Sequence, residues 1–201
     1  MKILAHRGLW KENSQKNSMD AFKLALNANY GLETDLRDFN GSIVISHDPV
    51  IDENDILLFE DLLKYYKISK SEEMIALDIK SDGIIPKAEY LLNKFEIKNY
   101  FFFDMSIPEL INAHRKNIKQ IFCRDSEYES TEKFLNFTDG VWVDSFDGIH
   151  ENLTNSILFL YKRKKIAIVS PELHGKDLGL MYNCWGKIRS LDIPQEFKKN
   201  I

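Results

Sequence analysis

Long apolar runs are missing from this sequence. Its longest aliphatic and aromatic stretch, Ile157 to Tyr161, falls far short of the roughly 20 residues a membrane-spanning helix needs. The N-terminus reaches charged Lys2, His6 and Arg7 without an apolar leader, which sets the expectation of a cytoplasmic protein with no stable membrane insertion. The sequons at Asn136 and Asn152 carry no weight in that setting. Cysteine is scarce. Cys123 and Cys184 form no CxxC or zinc-ligand spacing, so both read as small core residues. Nine glycines and five prolines are roughly half the usual share, which excludes a low-complexity chain. Neither charge sign dominates: the net charge is −4 with both signs interspersed, which argues against a nucleic-acid surface or a polybasic membrane patch.

What is present is material for a core. The 201 residues are 44% hydrophobic, enough for a single domain spanning 1–201. Periodicity and punctuation predict strands over 2–6, 32–39, 74–80, 100–105, 120–124, 141–145, 165–170 and 188–193. Helices are predicted over 17–29, 59–66, 86–95, 108–116, 131–137 and 153–162, with Ser18 as an N-cap. A hairpin strand over 42–47 folds back across Asn40-Gly41. Alternating strands and helices imply a parallel sheet, because parallel strands need helical crossovers. Eight such units in one domain favour an α/β fold: a compact (β/α)8 TIM barrel with a β-hairpin extension after the second strand. An open doubly wound sheet is the alternative, weakened by the lack of a GxGxxG turn after the first strand.

Charges collect at strand ends. In Leu32-Glu33-Thr34-Asp35-Leu36-Arg37, Glu33, Asp35 and Arg37 share one face and the two leucines take the other. Leucines facing the helices would turn the carboxylates inward. Ile75 to Lys80 repeats the pattern with Asp78 and Lys80, while His6-Arg7 and His47 end their own strands. Barrel enzymes place their active sites at these C-terminal strand ends. Converging carboxylates repel unless a cation neutralises them. Two readings follow. An all-oxygen set of Glu33, Asp35 and Asp78 suits Mg2+, Ca2+ or Mn2+, and the same groups could instead form salt bridges with Arg7, Arg37 and Lys80. The two histidines with Arg7 and Lys80 make a set able to bind an oxyanion and move protons. Trp142 and Asp144 alternate on the sixth parallel strand, and Trp142 could stack on a substrate or pack in the core. Asp125, Glu172 and His174 sit at strand ends as lesser candidates, and His114 and His150 read as solvated.

Taken in order, Ala5-His6-Arg7-Gly8, Asn17-Ser18-Met19-Asp20-Ala21-Phe22, Gly31 to Arg37 and His47-Asp48-Pro49 resemble the glycerophosphodiester phosphodiesterase family. Its signature is an HRG, an NT-x-x-AF helix start, an E-x-D strand and an HD after a hairpin. Leu77-Asp78-Ile79-Lys80 is similar to the family's third-strand motif, and Ser190 to Pro194 more loosely to its closing TD-x-P. The clear similarity covers about the first 80 residues.

The resemblance implies a barrel that uses a divalent cation to hydrolyse a small-molecule phosphodiester. Under it, His6 and His47 become the acid/base pair, Arg7 and Lys80 the phosphate binders, and Glu33, Asp35 and Asp78 the metal ligands. Two positions depart from the pattern. The third ligand is usually Glu, whereas Asp78 is one methylene shorter, as in related sphingomyelinase-D-type phospholipases. The usual PENT reads Gln15-Lys16-Asn17-Ser18, placing Lys16 where a glutamate is expected. The expected activity is therefore a metal-dependent phosphodiesterase. Its rivals are a phospholipase-D-like lyase that forms a cyclic phosphate and a barrel that only binds phosphorylated ligands.

Overall fold

Strands and helices alternate along the chain as the apolar periodicity requires. The computed structural model describes residues 2–51, 56–147 and 150–200. Its contacts group the chain into two units, Lys2–Gln120 and Ile121–Ile201. The first contains β1 (Leu4–His6), α1 (Met19–Asn27), β2 (Gly31–Phe39), β3 (Ser42–Ile45), α2 (Phe59–Ser69), β4 (Ile75–Ile79), α3 (Ile85–Lys94), β5 (Tyr100–Phe103) and α4 (Ile107–Arg115). The second contains β6 (Phe122–Asp125), β7 (Gly140–Val143), α5 (His150–Leu160), β8 (Lys165–Ile168) and α6 (Leu178–Ser190).

In the first unit β1, β2, β4 and β5 pair in that order, all parallel, and β3 pairs antiparallel with β2. The β2–β3 turn uses Asn40 and Gly41 at φ 47° and 75°, the left-handed pair that a two-residue hairpin loop demands. Leu32 and Leu36 of β2 are fully buried, and so is Asp35 between them. β2 is thus buried on both faces, one apolar and one ionic. Helix α1 starts where Ser18 Oγ accepts from Ala21 N at 3.2 Å, and buries Ala21, Phe22, Ala25 and Leu26 along one stripe. In the second unit β6, β7 and β8 form a parallel ladder. Cys123 and Cys184 are both buried free thiols.

Two predicted elements are corrected. Residues 188–193 do not form an eighth parallel strand: α6 runs through Ser190 and a 3-10 helix follows over Gln195–Asn200. Asp177 caps α6 by accepting from Leu180 N at 3.0 Å, and Cys184 and Ile188, one helical turn apart, bury its inner stripe. That helical spacing outweighs the short alternation read as a strand. The described residues accordingly hold seven strands in parallel ladders, not eight. The helix predicted over 131–137 is reduced to a 3-10 turn at Leu135–Phe137. Thr131 at its start is tied instead to β6, its backbone N and Oγ1 lying 3.4 and 3.3 Å from Asp125 Oδ1.

Gly8 holds the turn that leaves β1 for the loop before α1. Its φ is +85°, and a Cβ there would lie 2.7 Å from Ala21 Cβ and 2.8 Å from the Ala21 carbonyl carbon. Left-handed strain and a clash with helix backbone act together. Gly8→Ala is expected to lower unfolding free energy by about 2–4 kcal/mol, read as a reduced urea midpoint with an unchanged m-value.

Candidate active site

Strand alternation and register assemble the cluster. Glu33 and Asp35 project from one face of β2, and Asp35 is the register partner of Asp78 on β4. One carboxylate oxygen from each of Glu33, Asp35 and Asp78 lies within 4.8 Å of the others, and all three residues are buried. His6, the register partner of Glu33 on β1, brings Nε2 to 3.8 Å from Glu33 Oε2.

Neighbouring loops supply the compensating groups. Arg7 takes φ 56°, donates its backbone N to Glu33 Oε2 at 3.0 Å, and brings Nε to 2.9 Å from Asp35 Oδ2. Asn17, at φ 58°, donates Nδ2 to Asp35 Oδ2 at 2.7 Å and accepts from Thr34 Oγ1 at 3.0 Å. Lys80 continues β4 through its N to the Leu36 carbonyl at 2.9 Å. Its Nζ lies 2.7 Å from Asp78, 3.2 Å from Asp104 and 3.7 Å from Asp35. Arg37 joins no carboxylate in this cluster. It donates to the His47 carbonyl at 2.9 and 3.2 Å and to the Lys80 carbonyl at 3.3 Å, clamping the strand ends that carry those residues.

The charges do not balance. Glu33, Asp35, Asp78 and Asp104 face Arg7 and Lys80, so the acids outnumber the cations by two in a mostly buried space. Burial drives the Glu33 carboxyl well above its ordinary range, and the Asp35 and Asp78 charges push it further. Burial and then Asp104 raise Asp78 to about 7 against the pull of Lys80. For Lys80, burial opposes the charge, but Asp78, Asp104 and Asp35 together hold the ammonium protonated. Burial and then Arg7 lower His6 to about 4, with Lys16 and His47 adding to the effect.

Asp35 Oδ1 and Asp78 Oδ1 are buried without a hydrogen-bond partner. Orphaned carboxylate oxygens, an all-oxygen donor set and two acids in excess of the nearby cations fit a hard divalent cation. The residues present therefore suit the cation that the sequence suggested. Ion pairing and a metal site are not exclusive here, because the pairs formed leave the excess charge in place.

Beside the cluster lies a cleft of about 680 Å³ lined by Arg7, Lys16, Asn17, His47 and the apolar Met19 and Ile45, among others. His47 is exposed at its edge, with Nδ1 2.9 Å from Asp48 Oδ1. The first unit thus brings together His6, Arg7, Glu33, Asp35, Asp78 and Lys80, with His47 on the adjoining cleft. Trp142 lies in the second unit, half-buried on β7.

The remaining second-unit candidates are engaged locally. Asp144 lies 2.6 Å from His174 Nε2, Asp125 accepts from Thr131 and Ser156, and Glu172 accepts from Ser170. His114 is exposed near the end of α4, and His150 opens α5. The sequence reading missed Asn17 and Asp104 as site residues. Asp104 carries the signal found on β4, an acid after an apolar run at the C-terminal end of a strand.

Fold and site together define an α/β protein of parallel strand ladders and helices, in which no closed barrel forms among the described residues, with a buried acidic cluster where β2 and β4 pair. A solved structure assigned as a glycerophosphodiester phosphodiesterase of Galdieria sulphuraria superposes with a TM-score of 0.73 at 18% identity, over 92% of this chain and 90% of that one. A glycerophosphodiester phosphodiesterase of Agrobacterium tumefaciens gives 0.66 at 16% identity, over 96% of this chain and 92% of that one. A glycerophosphoryl diester phosphodiesterase of Parabacteroides distasonis gives 0.50 at 12%, covering 96% and 87%. The chain has the fold of the glycerophosphodiester phosphodiesterases. No family model matches the sequence, and no curated protein matches it.

The cluster yields a binding test. Asp78→Asn keeps the side-chain size and removes one charge, and is expected to weaken Mg2+ or Mn2+ at least tenfold in calorimetric titration. Asp78→Glu keeps the charge but overreaches, so it falls between wild type and the Asn variant. Unchanged affinity in Asp78→Asn assigns Asp78 to Lys80 alone.

Proposed function

We propose that this protein is a metal-dependent phosphodiesterase that hydrolyses a glycerophosphodiester or a related small phosphodiester. The observation that carries the proposal is the convergence of Glu33, Asp35 and Asp78 within 4.8 Å, with unpartnered buried oxygens on two of them. The fold shared with solved proteins named for this activity supports it.

Glu33, Asp35 and Asp78 would hold the divalent cation, Mg2+, Ca2+ or Mn2+. When bound, such an ion neutralises phosphoryl charge and acidifies a water or hydroxyl beside phosphorus. Arg7 and Lys80 supply fixed positive charge for the oxygens that gain charge as the diester is attacked, where preorganised cations act most strongly. Arg7 is suited to this because its guanidinium presents a planar fork of donors to phosphate. Asn17 is a positioning residue: by holding Asp35 Oδ2 it fixes the carboxylate that Arg7 also contacts.

His6 and His47 divide the proton transfers, one accepting from the nucleophile and the other donating to the leaving alkoxide. His6 stands beside Glu33 at the cluster, with Nε2 3.8 Å from Oε2. At the cleft edge, the Asp48 carboxylate beside Nδ1 orients His47 and leaves Nε2 for transfer.

Two experiments test the proposal. Stripping the protein with EDTA is expected to abolish turnover of glycerophosphodiesters, and added Mg2+, Mn2+ or Ca2+ to restore it. Full turnover after stripping rules out the metal-dependent reading. His6→Ala and His47→Ala are each expected to lower kcat by roughly 10²–10⁴ while calorimetric metal affinity stays close to wild type. A kcat near wild type in either variant removes that histidine from the reaction, and no turnover by the metal-loaded wild type on any phosphodiester overturns the activity.

A further inference from the structure

Lys16 is a half-buried cation on the wall of the cleft, beside the catalytic cluster. Among the described residues it has no carboxylate partner. Its ammonium instead sits 4.4 Å from the ring centroid of Trp10. A ring face attracts a cation through its quadrupole but carries no net charge, so this contact fixes the ammonium without neutralising it. Trp10 is itself anchored, with Nε1 donating to the His6 carbonyl at 2.9 Å.

The Lys16 backbone is pinned as well. It follows a 3-10 turn at Asn13–Gln15, and its N donates to the Asn13 carbonyl at 3.2 Å. Gln15 Oε1 closes the turn by accepting from Lys11 N and Glu12 N at 2.9 and 3.1 Å. A positioned ammonium with spare charge therefore faces the same cleft as Arg7.

The rest of the lining agrees in sign. Asn13, Ser14, Ser18 and Ser46 offer neutral polar groups, and among the described residues the single lining carboxylate, Asp48, is paired with His47 and points largely to solvent. Arg7 is committed to Asp35 at the inner end, which among the described lining residues leaves Lys16 as the cation without a carboxylate partner further along the cleft. A quaternary ammonium head group would meet like charge at Lys16, whose ammonium already occupies one face of the Trp10 ring.

We propose that Lys16 selects the leaving alcohol, and that the preferred substrate is a phosphodiester whose second alcohol carries a further anionic group, a phosphate monoester or a carboxylate. This rests on the phosphodiesterase reading above and adds the substrate class to it. The phosphodiester is processed at the cluster, and the second anion lies along the cleft against the Lys16 ammonium. At contact distance near a protein surface, a unit charge pair is strong enough to change specificity by tenfold or more.

The test compares kcat/KM for four glycerophosphodiesters whose second alcohols are phosphorylated, carboxylated, neutral (glycerol) and cationic (choline). Wild type is expected to favour the anionic heads over glycerol, and glycerol over choline. The phosphorylated and carboxylated arms separate the two sources of anion. Lys16→Gln is expected to collapse the ratio of anionic to neutral head at least tenfold, Lys16→Glu to invert the order toward choline, and Lys16→Arg to keep the wild-type order. A ratio within one variant is insensitive to loss of folded protein or of metal. Turnover with no preference for anionic heads, or a ratio unmoved in Lys16→Gln, overturns the selection by Lys16 and leaves the phosphodiesterase reading standing. No turnover of any of the four by the metal-loaded wild type overturns both.

Discussion

Like charges held together out of water are the constraint on which the site depends. Three buried carboxylates meet where β2 and β4 pair, and each would rather be solvated or neutral. Two cations reduce the repulsion but do not remove it. A core that only needed packing would have placed leucine or valine here, as it does on the other face of β2, and replacing buried ionic groups by apolar ones is often neutral or stabilising. The acids are therefore a cost that packing does not explain, and the proposed cation would offset it.

The backbone around the cluster has the same logic. Most left-handed non-glycine residues in this chain do ordinary work: Asn29, Lys70, Glu96 and Asn117 end helices, and Asn40 turns the hairpin. Arg7, Asn17 and Asp104 are different. Each adopts positive φ, and each contributes a group to the cluster or its counter-ions. Asn and Asp tolerate this conformation, whereas a long side chain such as Arg pays more of the strain. It persists because Arg7 is fixed from several sides: its N donates to the Glu33 side chain, its carbonyl accepts from Asn17, and its guanidinium pairs with Asp35.

The parts of this arrangement governed by period were legible in the sequence. Alternation placed Glu33 and Asp35 on one face of β2 and Asp78 at the end of β4, and the structure brings these three together with Arg7 and Lys80. Parts set by loop conformation were not. Nothing in the spacing of Asn17 shows that a left-handed turn will aim its amide at Asp35, and the Trp10–Lys16 stack depends on a 3-10 turn with no periodic signal. Short windows also misled. Six residues at 188–193 alternate well enough to pass for a strand, but the deciding contacts of α6, Cys184 with Ile188 and the Asp177 cap, lie mostly upstream of that window. Arg37 shares its face with the acids, yet it reaches past them to two carbonyls, because side-chain length lets a strand residue serve the neighbouring strand ends.

The residues proposed for chemistry and for specificity occupy different tiers of the same unit, which bears on how such a site can diverge. The carboxylates, Lys80 and His6 belong to or directly abut the sheet, so their positions are coupled through β1, β2 and β4 and tolerate little change. Lys16 and Trp10 lie on the connection between β1 and α1, where a 3-10 turn, one indole hydrogen bond and their own ring contact set their placement. Changing a cleft residue there leaves undisturbed the register that gathers the acids. A buried acid has no such freedom: removing Asp35 would strand both Arg7 and Asn17, and removing Asp78 would leave Lys80 leaning on Asp104 and Asp35 alone. On the proposed reading, the sheet therefore fixes what is done to a phosphodiester, and the loop ahead of α1 decides which phosphodiester it is done to.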